Sequence, residues 1–142
     1  NFGALEAFVS VQALVKQARS LAKMGGGHWS ENPGVPPDRI GFDFLLQELK
    51  RNNPAVEELF RQSAVYFGIG LANLINLFHP ETVVLGGGLV ISNERFYETA
   101  IEIARRNVYY FPEYDPSFTK GELREDAVAT GAALMVWRNM AI

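Results

Sequence analysis

At 142 residues with 48% apolar content, the chain is long enough for one domain with a sizeable core. Thirteen Lys and Arg against 16 Asp and Glu leave a net charge of −3, and only Lys50-Arg51 and Arg105-Arg106 form basic doublets, so no basic surface announces nucleic acid or an anionic membrane. The absence of cysteine rules out a disulfide framework or a thiolate metal site within the chain; it is compatible with a reducing compartment, and a cytoplasmic location is expected.

The opening NFGALEAF has neither a charged n-region followed by an apolar h-region nor an initiator Met, and reads as part of something longer. Glu6–Lys23 is predicted as a first helix, with Leu5, Phe8, Val9, Leu14, Val15, Ala18, Leu21 and Ala22 mostly on one face. Gly25-Gly26-Gly27 stops it, and the glycines and prolines of residues 24–38 mark a loop. A short helix over Gly41–Arg51 carries Phe42, Leu45, Leu46 and Leu49 at helical spacing. Asn53-Pro54 then restarts a helix: Asn suits the N-cap, Pro the first helical position, and Glu57 and Glu58 the positive end of the dipole. Running to Phe78, it spans roughly 25 residues and ~37 Å. Its second half is apolar nearly all round, which predicts burial between layers, yet it falls short of the ~20 apolar residues of a membrane span.

Glu81–Leu85 is predicted as a strand. Val83-Val84-Leu85 does not alternate, as expected of a parallel strand covered on both faces. The strand opens into Gly86-Gly87-Gly88. Ser92 or Asn93 can cap a following helix to about Val108, with Phe96, Ile101, Ala104 and Val108 inward. Tyr109–Glu122 is aromatic and bounded by Pro112 and Pro116, with weak strand character only at Ser117–Lys120. Asp126 caps a last helix, Ala127–Asn139, whose Ala129, Gly131, Ala132 and Ala133 permit close approach of a neighbour. The order α-α-α-β-α-β-α argues for α/β layering over a short parallel sheet.

The triple glycine is the leading candidate for chemistry. A glycine turn at the carboxyl end of a strand, followed by a helix whose first N–H groups are free, suits an anion or nucleotide. A tight turn without a ligand fits the same residues. The G-x-x-x-x-G-K-[ST] loop is absent, and Ile91 occupies the last glycine position of a G-x-G-x-x-G fingerprint. Among other candidates, His28 reads as a solvent-facing loop residue and His79 as a helix C-terminal residue favouring the dipole. Asn73 and Asn76 need partners if buried, with nearby backbone expected to supply them. Trp29, Tyr109, Tyr110, Phe111 and Tyr114 suggest an aromatic surface for subunit packing. Glu122, Glu125 and Asp126 show no metal-ligand spacing.

The segment GIGLANLINLFHPETVVLGGGLV resembles the matching segment of the ROK family of bacterial repressors and sugar kinases. GALEAFVS resembles that family's G-C-L-E-A-Y-x-S, which follows a C-x-C-G-x-x pair, and EDAVATGAAL is similar to its last helix. The resemblance covers the whole chain and implies an actin-like, RNase H-like α/β fold, with residues 1–142 a single domain forming much of the C-terminal lobe of a two-lobed protein. It implies that Glu6 hydrogen-bonds sugar hydroxyls, a role suited to a carboxylate that accepts two directional bonds. From the residues alone, Glu6 is more readily a first-turn acid serving its helix dipole, a reading that the resemblance reverses. It further implies that Gly86, Gly87 and Gly88 form the adenosine-phosphate turn for ATP with Mg, and that no catalytic residue lies in this chain, because the general-base Asp belongs to the other region. Ala4 stands where the family has the third Cys of its structural zinc, which puts zinc in doubt. Two functions follow: a sugar kinase-like lobe, or the sugar-sensing, oligomerising effector domain of a repressor. Either is expected to bind a small-molecule sugar and self-associate, without direct nucleic acid contact or a membrane.

Overall fold

The computed structural model describes residues 4–24, 35–123 and 126–140, except the side chains of 139 and 140. His28 and Trp29 lie outside the described residues, as does Glu125.

The expected first helix is two helices. Helix α1 spans Glu6–Val9 and α2 spans Val11–Lys23, separated at Ser10, whose backbone is extended (φ −95°, ψ 157°). The cause is local. The Ser10 hydroxyl accepts the Ala13 N–H at 3.0 Å, so this residue starts a helix rather than continuing one. A 3-10 turn at Pro37–Arg39 follows, held by the Arg19 guanidinium, which donates to the carbonyls of Ile40 at 2.9 Å and Asp38 at 3.3 Å.

Helix α3, Phe42–Lys50, leads into α4, Pro54–Phe78. At their junction the Asn53 carbonyl oxygen accepts the N–H groups of Ala55 and Val56, while its amide donates to Glu48 at 2.9 Å. The Glu48 carboxylate is 1% exposed and also accepts from Arg51 at 2.7 Å. One side chain thus caps a helix and satisfies a buried charge. Helix α4 ends at His79, left-handed at φ 46°, whose N–H returns to the Ile75 carbonyl.

Strand β1, Thr82–Leu85, precedes α5, Gly88–Ser92, and α6, Glu94–Asn107. Strand β2, Ser117–Lys120, pairs parallel with β1 in the register Thr82–Ser117 through Leu85–Lys120. The weakest strand of the sequence therefore forms, because the partner's backbone supplies what its side chains do not. Lys120 ties β2 to α6 through Glu94 and the Tyr97 ring face. Helix α7 covers Ala127–Met140.

The core is centred on α4 against α6, with Phe60, Ala64, Leu71, Ala72 and Ile75 meeting Phe96, Ile101 and Ala104. Gly68 permits the approach: a Cβ there would stand 2.6 Å from the Ala100 carbonyl oxygen. Asn76 fastens the far end, donating to the Asn107 carbonyl and accepting the Tyr109 N–H, both at 3.1 Å. This is the backbone pairing expected of an asparagine in an apolar helix. The stretch between α6 and β2 includes a cis Phe111–Pro112 peptide.

Two burial expectations are not met among the described residues. Helix α4 buries one face, leaving Leu77 70% exposed, with Leu74 and Phe78 also bare. Strand β1 buries Leu85 but leaves Val84 63% exposed, so the sheet is covered on one face. Helix α7 is exposed along Ala127–Ala129 and Gly131–Arg138, including Trp137 at 76%, and among the described residues nothing lies within 4 Å of a Cβ built at Gly131. Its small residues face no neighbour among the described residues.

Candidate functional site

The triple glycine leaves the buried end of β1 and turns into α5. Gly87 carries the turn at φ 98°, ψ 161°, a conformation restricted to glycine. Among the described residues no atom lies within 4 Å of a Cβ built at Gly86 or Gly87, whereas one at Gly88 would sit 3.2 Å from Val11 Cγ2. The glycines thus have different causes. Gly87 is required by its backbone angle, Gly88 is favoured by the close approach of Val11 on α2, and Gly86 is required by nothing that the described residues place there.

The helix beyond the turn is shorter than expected. Helix α5 has five residues, and the long helix begins only after Asn93, whose side chain accepts the Phe96 N–H at 3.1 Å. A single turn carries little macrodipole. An anion placed at this turn would therefore meet individual backbone N–H groups rather than a helix macrodipole.

Facing the turn is the junction of α1 and α2. Val9, Ser10 and Val11 line one side of a cavity of about 240 Å³, Gly86–Val90 the other, and Phe67 and Phe96 the base. No ionisable side chain lines it. Ser10 was hidden by reading Glu6–Lys23 as one helix; serine before an amphipathic run was the available signal.

Glu6 opens α1 and is exposed, one turn before Val9. It is not among the cavity's lining residues, so the structure sets Glu6 and the glycine turn on the same α1–α2 neighbourhood without joining them in one pocket. Helix α1 is held to α4 by packing. The Ser63 hydroxyl donates to the Phe8 carbonyl at 3.0 Å, the Phe8 and Tyr66 rings lie 5.2 Å apart, and Leu5 sits over Gly70.

The remaining candidates are placed plainly. His79 is the left-handed cap of α4, with its ring 5.4 Å from Tyr114 and 6.1 Å from Tyr110. Tyr109, Tyr110 and Phe111 are exposed, while Tyr114 is partly buried and donates its hydroxyl to the Pro80 carbonyl. Glu122 and Asp126 are exposed. Among the described residues no group of three or more His, Cys, Asp or Glu is disposed to hold a metal ion, and no helix is long and apolar enough to cross a membrane.

Comparison with known proteins supplies the context. Residues 1–139 match the model of the ROK family. A xylose repressor of Caldicellulosiruptor bescii is 29% identical, the match covering 99% of this chain and 35% of that protein. A ROK hexokinase from Thermus thermophilus superposes with a TM-score of 0.76 at 30% identity, over 98% of this chain and 42% of the hexokinase. A ROK family glucokinase from Streptomyces griseus, solved with glucose and AMPPNP, gives 0.74 at 25% identity, over 95% and 45%. The fold is that of these actin-like sugar kinases, and the chain spans about a third of the curated relatives it matches.

Proposed function

We propose, from the premise that this chain belongs to the ROK family, that it is the C-terminal lobe of a sugar kinase-like protein. Glu6 accepts hydrogen bonds from sugar hydroxyls, and Gly86, Gly87 and Gly88 form the turn against which ATP, carrying its Mg, lies. The observation behind this reading is the open glycine turn: Gly87 in a glycine-only conformation beside Gly86, which no atom of the described residues constrains. Glycine at Gly86 is accounted for by a ligand that approaches the backbone closely.

Residues 1–142 act as one domain that binds and does not catalyse. Phosphoryl transfer depends on positioning and charge stabilisation around a base that orients the nucleophile, and the family resemblance puts that base outside these residues. Bound ATP supplies the phosphoryl group; the chain's own contribution is to hold sugar and nucleotide in place. Zinc does not fit, because the Ala4 methyl has no donor atom where the family has cysteine. Packing through Leu5, Phe8 and Ser63 holds α1 in its stead.

The match to a xylose repressor over nearly the whole chain favours a second reading, the sugar-sensing effector and oligomerisation domain of a cytoplasmic repressor whose DNA contacts lie elsewhere. Exposed Tyr109, Tyr110 and Trp137 suit self-association in both readings.

Calorimetry on the intact protein that carries this chain separates them. Glu6→Ala is expected to weaken hexose or N-acetylhexosamine binding by at least ~1.5 kcal/mol, the worth of one hydrogen bond to a charged group. Unchanged sugar affinity removes Glu6 from the site. Gly87→Val is expected to abolish ATP binding, since valine cannot adopt that backbone conformation. A protein that binds sugar but never ATP is not a kinase and falls to the second reading.

A further inference from the structure

A second cavity, of about 600 Å³, lies between one side of α2 and the start of α3. Every ionisable side chain lining it is a cation: Lys16, Arg19 and Lys23. Asp38 and Asp43, the carboxylates that flank this part of α3 in sequence, are exposed and not part of the lining. Arg51, Arg61, Arg95, Arg105 and Arg106 each pair with a carboxylate. Among the described residues no carboxylate pairs with Lys16, Arg19 or Lys23. In a chain of net charge −3, this is a local reversal of sign.

Arg19 is the fixed member of the group. Its guanidinium donates to the carbonyls of Ile40 at 2.9 Å and Asp38 at 3.3 Å. Neutral carbonyls hold it in place without cancelling its charge, and they use two of its five donors. Lys16 and Lys23 are exposed on either side of it. Seven residues apart on one helix, they are separated by about 10 Å along the axis.

That spacing selects a ligand. One small anion reaches a single end of the row, whereas two anionic groups on a short neutral body reach both. Phosphates suit the ends, because each has up to about two negative charges and three acceptor oxygens, enough to serve a lysine and the Arg19 fork together. A dicarboxylate of the same length has about half that charge. Gln12 and Ser20 suit hydroxyls on the body, and Val15 and Phe42 its C–H faces. The volume falls within the roughly 300–1,000 Å³ of small-molecule sites. Three cations do not make the broad basic surface that nucleic acid or a membrane needs.

We propose that the α2–α3 cavity binds a small polyol carrying two phosphate groups, a sugar bisphosphate in chemical class. Val11 lines both this cavity and the one at the glycine turn, so phosphates bound at that turn are a second source of the same chemistry. The cation row itself does not depend on the glycine-turn reading, and the test separates the two.

The test is calorimetry on the intact protein at low ionic strength, with a hexose 1,6-bisphosphate as the probe. The bisphosphate is expected to bind at least tenfold tighter than the hexose 6-phosphate or a dicarboxylate of similar length. Lys16→Ala with Lys23→Ala is expected to lose at least tenfold in affinity, and Lys16→Arg with Lys23→Arg to stay within severalfold of the parent. Both lysines are exposed, so all these variants are expected to keep the parent's circular dichroism and thermal midpoint. Glu6→Ala and Gly87→Val are expected to leave bisphosphate affinity unchanged, whatever they do to sugar and ATP. The proposal is overturned if the bisphosphate does not bind, or if the double-alanine variant binds it as the parent does. It is equally overturned if Gly87→Val abolishes binding, which places the phosphates at the glycine turn instead.

Discussion

One methyl group at Gly68 tests the central packing of the molecule. A Cβ there would lie 2.6 Å from the Ala100 carbonyl oxygen and 2.7 Å from Ile103 Cβ. Neither atom is the free end of a side chain, so relief requires α6 to move away from α4, where Phe67 and Phe96 stack at 5.8 Å and Leu71 and Ala72 are buried. Overpacking of this kind costs about 1–3 kcal/mol, and immovable backbone places it in the upper half. Alanine returns about 0.5–1 kcal/mol through helix propensity. The net expectation for Gly68→Ala is a loss of about 1–2.5 kcal/mol, or a Tm lower by about 3–7 °C at this chain length. Gly70 is the internal control. Its Cβ would stand 2.6 Å from Leu5 Cδ2, the flexible tip of a side chain already 38% exposed, which can rotate aside. Gly70→Ala is therefore expected to be neutral or to gain up to about 0.5 kcal/mol. Urea denaturation monitored by far-UV circular dichroism measures both. Equal stability of the two variants, or a Gly68→Ala protein as stable as the parent, would refute the close-approach argument.

Asn53→Ala removes the α4 cap, worth about 1 kcal/mol, and one donor to buried Glu48, worth about 1–3 kcal/mol, so a total loss of about 2–4 kcal/mol is expected in the same denaturation assay. Asn53→Asp retains the capping oxygen but turns a carboxylate toward Glu48, and is expected not to rescue stability at neutral pH. Glu58 is held down to about 2 from 4.5 by its hydrogen bonds to Arg61 and Gln62. Because its folded value is depressed, its stabilising contribution is complete above the ordinary carboxylate range and is lost as pH falls from about 4.5 to about 2. Carbon NMR titration is expected to find Glu58 near 2 and to find it raised toward the ordinary range in Arg61→Ala, where Gln62 still donates to it.

Much of this was written locally in the chain. Asn53-Pro54 announced the start of α4 because a cap needs only a side-chain oxygen and the N–H groups two and three residues on. Asn93 announced α6 for the same reason. The glycine turn was legible because Gly87 requires an angle that other residues avoid. The same logic was present at Ser10 and was outweighed by an apolar pattern that runs unbroken through it, so one helix was expected where there are two. Strand β2 was faint because its partner, β1, lies more than thirty residues earlier in the chain, and pairing between such distant strands leaves no periodic trace in either.

The sequence by itself determined most places where backbone conformation changes: the caps at Asn53 and Asn93, the end of α4 at His79, and the turn at Gly86–Gly88. These depend on hydrogen bonds and steric limits spanning a few residues, so a short window of chain contains their whole cause. Only the tertiary structure decided which apolar faces are covered, how Gly68 lets α4 meet α6, why each glycine of the turn is glycine, and that Val11 stands between two cavities. Burial and cavity shape arise from segments distant in sequence and adjacent in space, and no single segment encodes what its neighbour will cover.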